Sequence, residues 1–190
     1  MSKLEKHLRS NEHILWQGKP KFAPFLFGRG LVVSLFGLVF LVFFLFSFLQ
    51  PILLSGVPLE FVLFLLLFSL VPLLMIFGPF VWGFFAFRNT EYIITDQRVI
   101  SQSGAIGLDT RFVNLEKIQE VYVNVGVVDR LFGTGSIFAV TAGQTFMGMR
   151  QGWGGGGSMA FRPSLSSLER PYEVQKLLQE AIQKVKKSDI

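Results

Sequence analysis

Two long stretches of the chain carry no charge. No Asp, Glu, Lys or Arg occurs in the 30 residues between Arg29 and Glu60, or in the 27 residues between Glu60 and Arg88. A helix rises about 1.5 Å per residue, so crossing a hydrocarbon core of roughly 30 Å takes about 20 residues, and both stretches suffice. The pattern predicts two membrane-spanning helices, at about residues 30–49 and 61–85. Gln50 and Pro51 are expected to close the first. Pro51, Gly56 and Pro58 then mark a short outward connection whose apolar residues 52–57 suit a membrane interface. Pro72 and Pro79 each remove a backbone donor and predict kinks in the second span. Neither span holds an ionisable residue, which argues against a transport pathway. Trp16 and Trp82 fit interfacial anchors.

Beyond Glu91 the period changes from helical to alternating. Strands are predicted at Tyr92–Thr95, Arg98–Ser103, Thr110–Asn114, Ile118–Val125, Ser136–Thr141 and Ser158–Phe161, with a helical turn at Val127–Phe132 before Gly133. In Ile118–Val125 the residues Val121, Val123 and Val125 share one face and Glu120, Tyr122 and Asn124 the other, the mark of a sheet buried on one side. The chain closes with a helix starting at Pro171. Val174, Leu177, Leu178, Ala181, Ile182 and Val185 form one apolar stripe on it, expected to cover a core. Several antiparallel strands followed by one amphipathic helix imply a small curved sheet or barrel with the helix packed over an open end.

Charge sets the expected topology. Residues 1–29 carry Lys3, Lys6, Arg9, Lys19, Lys21 and Arg29 against Glu5 and Glu12, while residues 50–60 contain no Lys or Arg. The positive-inside bias then puts both termini in the cytoplasm of a multi-pass protein of the inner cell membrane. Three parts follow: a cytoplasmic segment 1–29, a transmembrane hairpin 30–87, and a cytoplasmic domain 88–190. The first apolar stretch starts too late, is too long and lacks a small-x-small exit, so a cleaved signal peptide is not expected. The net charge of +5 is mostly juxtamembrane, with no dense basic stripe after Arg88, and nucleic acid is not an expected partner. The high apolar content, 51% of residues, is likewise local: 17 of the 22 Phe lie between Phe22 and Phe87.

Candidate chemistry is sparse. The chain has no Cys, which removes disulfides, thiolate metal sites and a Cys nucleophile. His7 and His13 have no third ligand nearby, and Asp96, Asp109 and Asp129 each fall at a predicted turn, so neither a metal site nor a carboxylate pair is implied. No cofactor and no catalytic residues are expected. The glycine-rich stretch 143–158 lacks the strand, helix and Lys-Ser/Thr of a phosphate loop. It does carry Phe146, Met147, Met149 and Trp153 around Arg150, apolar groups suited to a membrane interface or an adaptable protein contact, or to folding back on the domain. Lys19, Lys21, Arg29, Arg88, Arg98, Arg111 and Lys117 are the candidate contacts for anionic headgroups.

The segment from Glu91 to Ile100 (EYIITDQRVI), then Gly104, Asn114–Val121 (NLEKIQEV), Asp129–Gly135 (DRLFGTG) and Thr141-Ala-Gly resembles the bacterial pleckstrin-homology (bPH) domain family, in its membrane-anchored YdbS-like form. The resemblance covers about residues 90–185 and includes the layout, with Asn11–Trp16 and Lys19-Pro20 as a lead-in to the paired helices. It implies a membrane protein with a two-helix transmembrane hairpin followed by a pleckstrin-homology-like β-barrel and a C-terminal capping helix. It also implies a non-catalytic role in binding or assembly. Stretch 143–158 departs from the family, which has a tight hairpin there. Partners expected on this reading are the bilayer and either a second copy or another membrane protein. The alternatives are a phospholipid-headgroup sensor and an accessory subunit of a membrane enzyme or transporter.

Overall fold

The computed structural model describes residue 4 and residues 8–55, 58–141 and 165–188. In chain order these form β1 (Ile14–Gly18), α1 (Phe22–Ser55), α2 (Leu59–Arg88), β2 (Glu91–Thr95), β3 (Arg98–Ser103), β4 (Asp109–Asn114), a 3-10 turn (Leu115–Lys117) and β5 (Ile118–Asn124). Then come α3 (Val127–Phe132), β6 (Gly135–Thr141), β7 (Leu165–Leu168) and α4 (Pro171–Ser188).

The two apolar stretches form a helical hairpin. α1 has 34 residues and α2 has 30, about 50 and 45 Å of helix, enough for the hydrocarbon core and its headgroup layers. Both exceed the expected spans. α1 begins at Phe22 because its apolar side continues there: Phe22 meets Phe87 with ring centroids 4.9 Å apart, and Phe25 meets the same ring at 6.0 Å. It also passes Pro51 and ends at Ser55, so Gln50-Pro51 is not its terminus. One proline forfeits one intrahelical hydrogen bond, and in apolar surroundings the remaining backbone groups still find their best partners within the helix. α2 likewise runs unbroken through Pro72 and Pro79.

The helices approach closely where α1 is small. A Cβ on Gly37 would lie 2.8 Å from the Met75 Cβ and 3.1 Å from the Ile76 backbone nitrogen, so only glycine fits. One turn earlier, Ser34 Oγ donates to the Ile76 carbonyl at 2.8 Å, satisfying a hydroxyl that is otherwise buried. The remaining faces look outward: only 17% of Gly30–Phe48 and 11% of Leu59–Arg88 is buried. Two such helices are long and apolar enough to cross a membrane.

The strands form two antiparallel sheets, β1-β2-β3-β4 and β5-β6-β7. Among the described residues β4 and β5 do not pair, so the expected closed barrel is replaced by two sheets. Between them and α4 lies one core, in which Tyr92, Ile94 and Val99 meet Ile118, Ile137, Leu165 and the α4 stripe Val174, Leu178, Ala181 and Ile182. Val121 and Val123 pack on this core as the alternation predicts, while Tyr122 on the opposite face stacks on Phe138 at 5.0 Å. A second cluster covers the other side of β2 and β3, where Leu4 and Leu8 pack on Ile93 and Ile100. That double cover explains why β2 reads as an unalternating run. Predicted strand Ser158–Phe161 lies outside the described residues, and the last described strand is Leu165–Leu168.

β1 is the element that the alternation did not predict. It pairs antiparallel with β2, Trp16 opposite Ile94 and Gly18 opposite Tyr92. The whole helical hairpin is therefore inserted between two neighbouring strands of one sheet. Lys19, Pro20 and Lys21 link β1 to α1, and Asn89 and Thr90 link α2 to β2.

Candidate functional site at the helix–sheet junction

Strand direction sorts every side chain of the sheets by its distance from the helices. β2 leaves α2 at Glu91 and reaches Thr95 about 13 Å further on, at roughly 3.3 Å per residue. β3 returns, Gln102 lying opposite Glu91, and β4 departs again, with Asp109 opposite Ser103. The helix-proximal end of the first sheet is thus Gly18, Glu91, Ser103 and Asp109. Its remote end is Thr95, Arg98, Asn114 and the 3-10 turn carrying Lys117.

The junction is tied from both sides. At the start of α1, the Lys21 backbone N–H donates to the Ser167 carbonyl at 2.8 Å, and Lys21 Nζ lies 3.3 Å from Glu169 Oε1. At the end of α2, Thr90 Oγ1 donates to the Ala86 carbonyl at 2.6 Å, and Asn89 Nδ2 donates to the Gly104 carbonyl at 3.0 Å. The glycine is required there: its φ is +154°, and a Cβ would fall 1.7 Å from the Gly107 oxygen. Tyr92 Oη and Ser166 Oγ, 2.6 Å apart, join the two sheets behind the junction. α3 packs beside α1 through Phe132, whose ring lies parallel to Phe27 with centroids 6.5 Å apart.

The basic residues singled out above do not form one group. Lys19, Lys21 and Arg88 are exposed at the junction, Arg88 with its guanidinium 5.9 Å from the Phe84 ring centre. Arg29 lies in α1, its side chain outside the described set. Arg111 sits midway along β4, opposite Ser101, with Nη2 3.3 Å from Asp109 Oδ2. Lys117 is exposed at the remote end. Arg98, expected at headgroups, is instead buried at that end: its Nε and Nη2 each donate to Glu12 at 2.8 Å, and its guanidinium lies over the Phe112 ring. Burial alone would raise the Glu12 carboxyl. The Arg98 fork, the Arg9 backbone N–H and the Thr95 hydroxyl outweigh it and bring the pKa from 4.5 to about 2. The pair fastens the chain just before β1 to the β2–β3 turn, where the His13 N–H also donates to Asp96 Oδ1 at 3.0 Å.

Phe146, Met147, Met149, Arg150 and Trp153 lie outside the described residues. Sequence reasoning passed over Arg130, exposed on α3, and the apolar residues Ile106, Leu108, Val127 and Leu131, all exposed. The available signal was the run Val127–Phe132 between Gly126 and Gly133: a six-residue helix with four apolar positions cannot turn them all inward. Among the described residues no three His, Asp or Glu side chains gather as a metal site would need. A cleft of about 440 Å³ near the junction lies between α3 and the start of α4 and is lined by both signs of charge, Arg130 and Arg170 with Asp129, Glu169 and Glu173.

Comparison with curated proteins and with solved structures gives no match. A protein-family model, the bacterial PH domain, matches residues 32–182, a region that takes in most of α1, all of α2, strands β2 to β7 and most of α4, but not β1. Domains of this kind are in general binding modules for proteins or lipids. The chain belongs to the bacterial PH domain family.

Proposed function

We propose that the protein is a membrane-anchored, YdbS-like interaction or assembly module, which holds its PH-like sheets at the cytoplasmic face through a two-span hairpin. The observation that carries this reading is the insertion of α1 and α2 between the paired strands β1 and β2. A hairpin whose ends meet in one sheet must return to the side it left, so both termini share a side. The net positive charge of residues 1–29, against none on the connection, supports the cytoplasm as that side. The links are too short to let the sheets swing freely, so the module presents fixed surfaces to the bilayer and to partners. A second, compatible reading is recognition of anionic headgroups, favoured by the gathering of exposed Lys19, Lys21 and Arg88 at the junction.

The absence of native Cys makes the topology directly testable. Single variants Leu59→Cys and Lys186→Cys, both at exposed positions, are treated in whole cells with a membrane-impermeant maleimide. Leu59→Cys is expected to react from outside and Lys186→Cys only after permeabilisation. Equal labelling of both in intact cells would refute the two-span reading.

A further inference from the structure

We propose that the domain rests on the bilayer through two apolar feet, one on each side of the hairpin: the β3–β4 tip with Ile106 and Leu108, and α3 with Val127 and Leu131. The proposal deepens the membrane-anchored reading and rests on it. Its occupant is the headgroup and upper acyl layer of the same leaflet that the hairpin enters.

Ile106 is 88% exposed, Val127 84% and Leu131 79%, the extremes among the large apolar side chains of the sheets and α3. The other exposed aliphatic residues described in and beside the sheets, Ile14, Leu15 and Val125, stand at only 37–44%, and exposure about twice as high at two separate points calls for a cover. Both points lie at the level where the helices meet the sheets. β3 runs back toward α2, and its tip extends past the Ser103–Asp109 pair to where Asn89, one residue beyond α2, bonds the Gly104 carbonyl. α3 is held on α1 by the Phe27–Phe132 stack. Phe27 lies three residues before Gly30, about 4.5 Å of helix, and the charge-free run of α2 ends at Phe87, two residues before Asn89. The headgroup layer of one leaflet is roughly 5–8 Å deep. Both feet therefore meet the helices within the depth of that layer, and their apolar surface continues that of α1 and α2. The nearby exposed cations, Lys19, Lys21, Arg88 and Arg130, complement an anionic headgroup surface. At the remote end, by contrast, the exposed 3-10 turn presents Glu116 and Lys117.

The test places an environment-sensitive fluorophore on single Cys variants of the full chain in lipid nanodiscs: Ile106→Cys, Leu131→Cys, Lys117→Cys at the remote end, and Val39→Cys on the outward face of α1. Lipids carrying a nitroxide either near the headgroup or at the acyl terminus serve as quenchers. The expected result is blue-shifted emission at 106 and 131, quenched more by the shallow nitroxide, solvent-like unquenched emission at 117, and deep quenching at 39. If 39 is quenched while 106 and 131 resemble 117, the feet are refuted and the anchor stands. If 39 also reports water, the anchored reading itself fails. Blue-shifted emission at 106 and 131 without quenching by either lipid means that protein covers them, and this too overturns the proposal. High exposure at all four positions keeps the substitutions compatible with the fold, and agreement between 106 and 131 is required because each foot is tested separately.

Discussion

Replacing Glu12 by Gln keeps the side chain's shape and removes the carboxylate charge that the buried Arg98 guanidinium faces. Two routes give the cost. Removing one member of a buried ion pair destabilises by about 3–5 kcal/mol, because the other charge stays desolvated. Independently, a carboxyl at about 2 in the folded chain against an ordinary 4.5 corresponds to about 3 kcal/mol at neutral pH. The sign follows from the depressed value: this stabilisation is complete above 4.5 and is lost as pH falls toward 2. The loss should fall first on β1, since Glu12 stands two residues before it. Hydrogen exchange of the full chain in nanodiscs reads this directly. Wild type should lose β1 and β2 protection as pH drops through that window, whereas Glu12→Gln should start less protected at neutral pH and lack this component of the pH dependence. Combining Glu12→Gln with Arg98→Met should recover most of the loss by burying no charge at all. The reasoning fails if Glu12→Gln matches wild type at neutral pH, or if the difference between the two does not shrink on acidification.

Gly37→Leu should force α1 and α2 apart, at a cost of about 1–3 kcal/mol for overpacking; spin-label distances across the hairpin that stay at their wild-type values would contradict the close approach. Gly104→Ala puts a Cβ onto the Gly107 oxygen, so the β3–β4 tip should rearrange and Asn89 lose its acceptor, visible as faster exchange at the tip with the sheet core unchanged. Ala at Lys19, Lys21 and Arg88 together should release anionic lipids retained by the purified protein, at about 1 kcal/mol per residue, while Lys117→Ala should leave retention unchanged. Native mass spectrometry counts the lipids, and an equal effect of both variants would show that position relative to the junction is irrelevant.

How much of this was legible beforehand depended on whether the signal was local. β2 to β6 and α4 were readable because short β-branched or alternating runs, the turns between them, Pro171 and the α4 stripe all act within a few residues. Helix ends were less so: charge-free length marks where a helix can sit in lipid, whereas Phe22 and Phe25 extend α1 through contacts with Phe87 on another helix. β1 escaped because Ile14–Gly18 is short, lies beside a charged segment, and acquires its strand only by pairing with residues across the hairpin. Arg98 was misassigned for the same reason. Its partner Glu12 is 86 residues away, and a basic residue in a strand looks the same in sequence whether it faces lipid or a buried carboxylate. The feet lay between these cases, since α3 was visible as a turn but its exposure depended on where α1 carried it.

The topology also decides which part of the chain can be studied alone. A fragment beginning at Arg88 keeps β2 to β7 and α4 but lacks β1, Glu12, Leu4 and Leu8. It therefore presents β2 as an open edge, leaves Arg98 buried without Glu12, and uncovers Ile93 and Ile100, which are fully buried in the whole chain. Each of these is a recognised route to misfolding or self-association, and together they outweigh the intact core under α4. Adding residues 1–18 in trans as a peptide should restore monomeric behaviour, because it returns the edge partner, the carboxylate and the apolar cover at once. Sedimentation of the fragment with and without that peptide tests this; a fragment that is monomeric and protected at β2 on its own would show that the sheet does not need the strand that precedes the hairpin. If the peptide is needed, the sheet closes only after α2 has brought β2 back beside β1. On the membrane-anchored reading proposed above, insertion of the hairpin is then a step in folding the domain rather than a tether added to it.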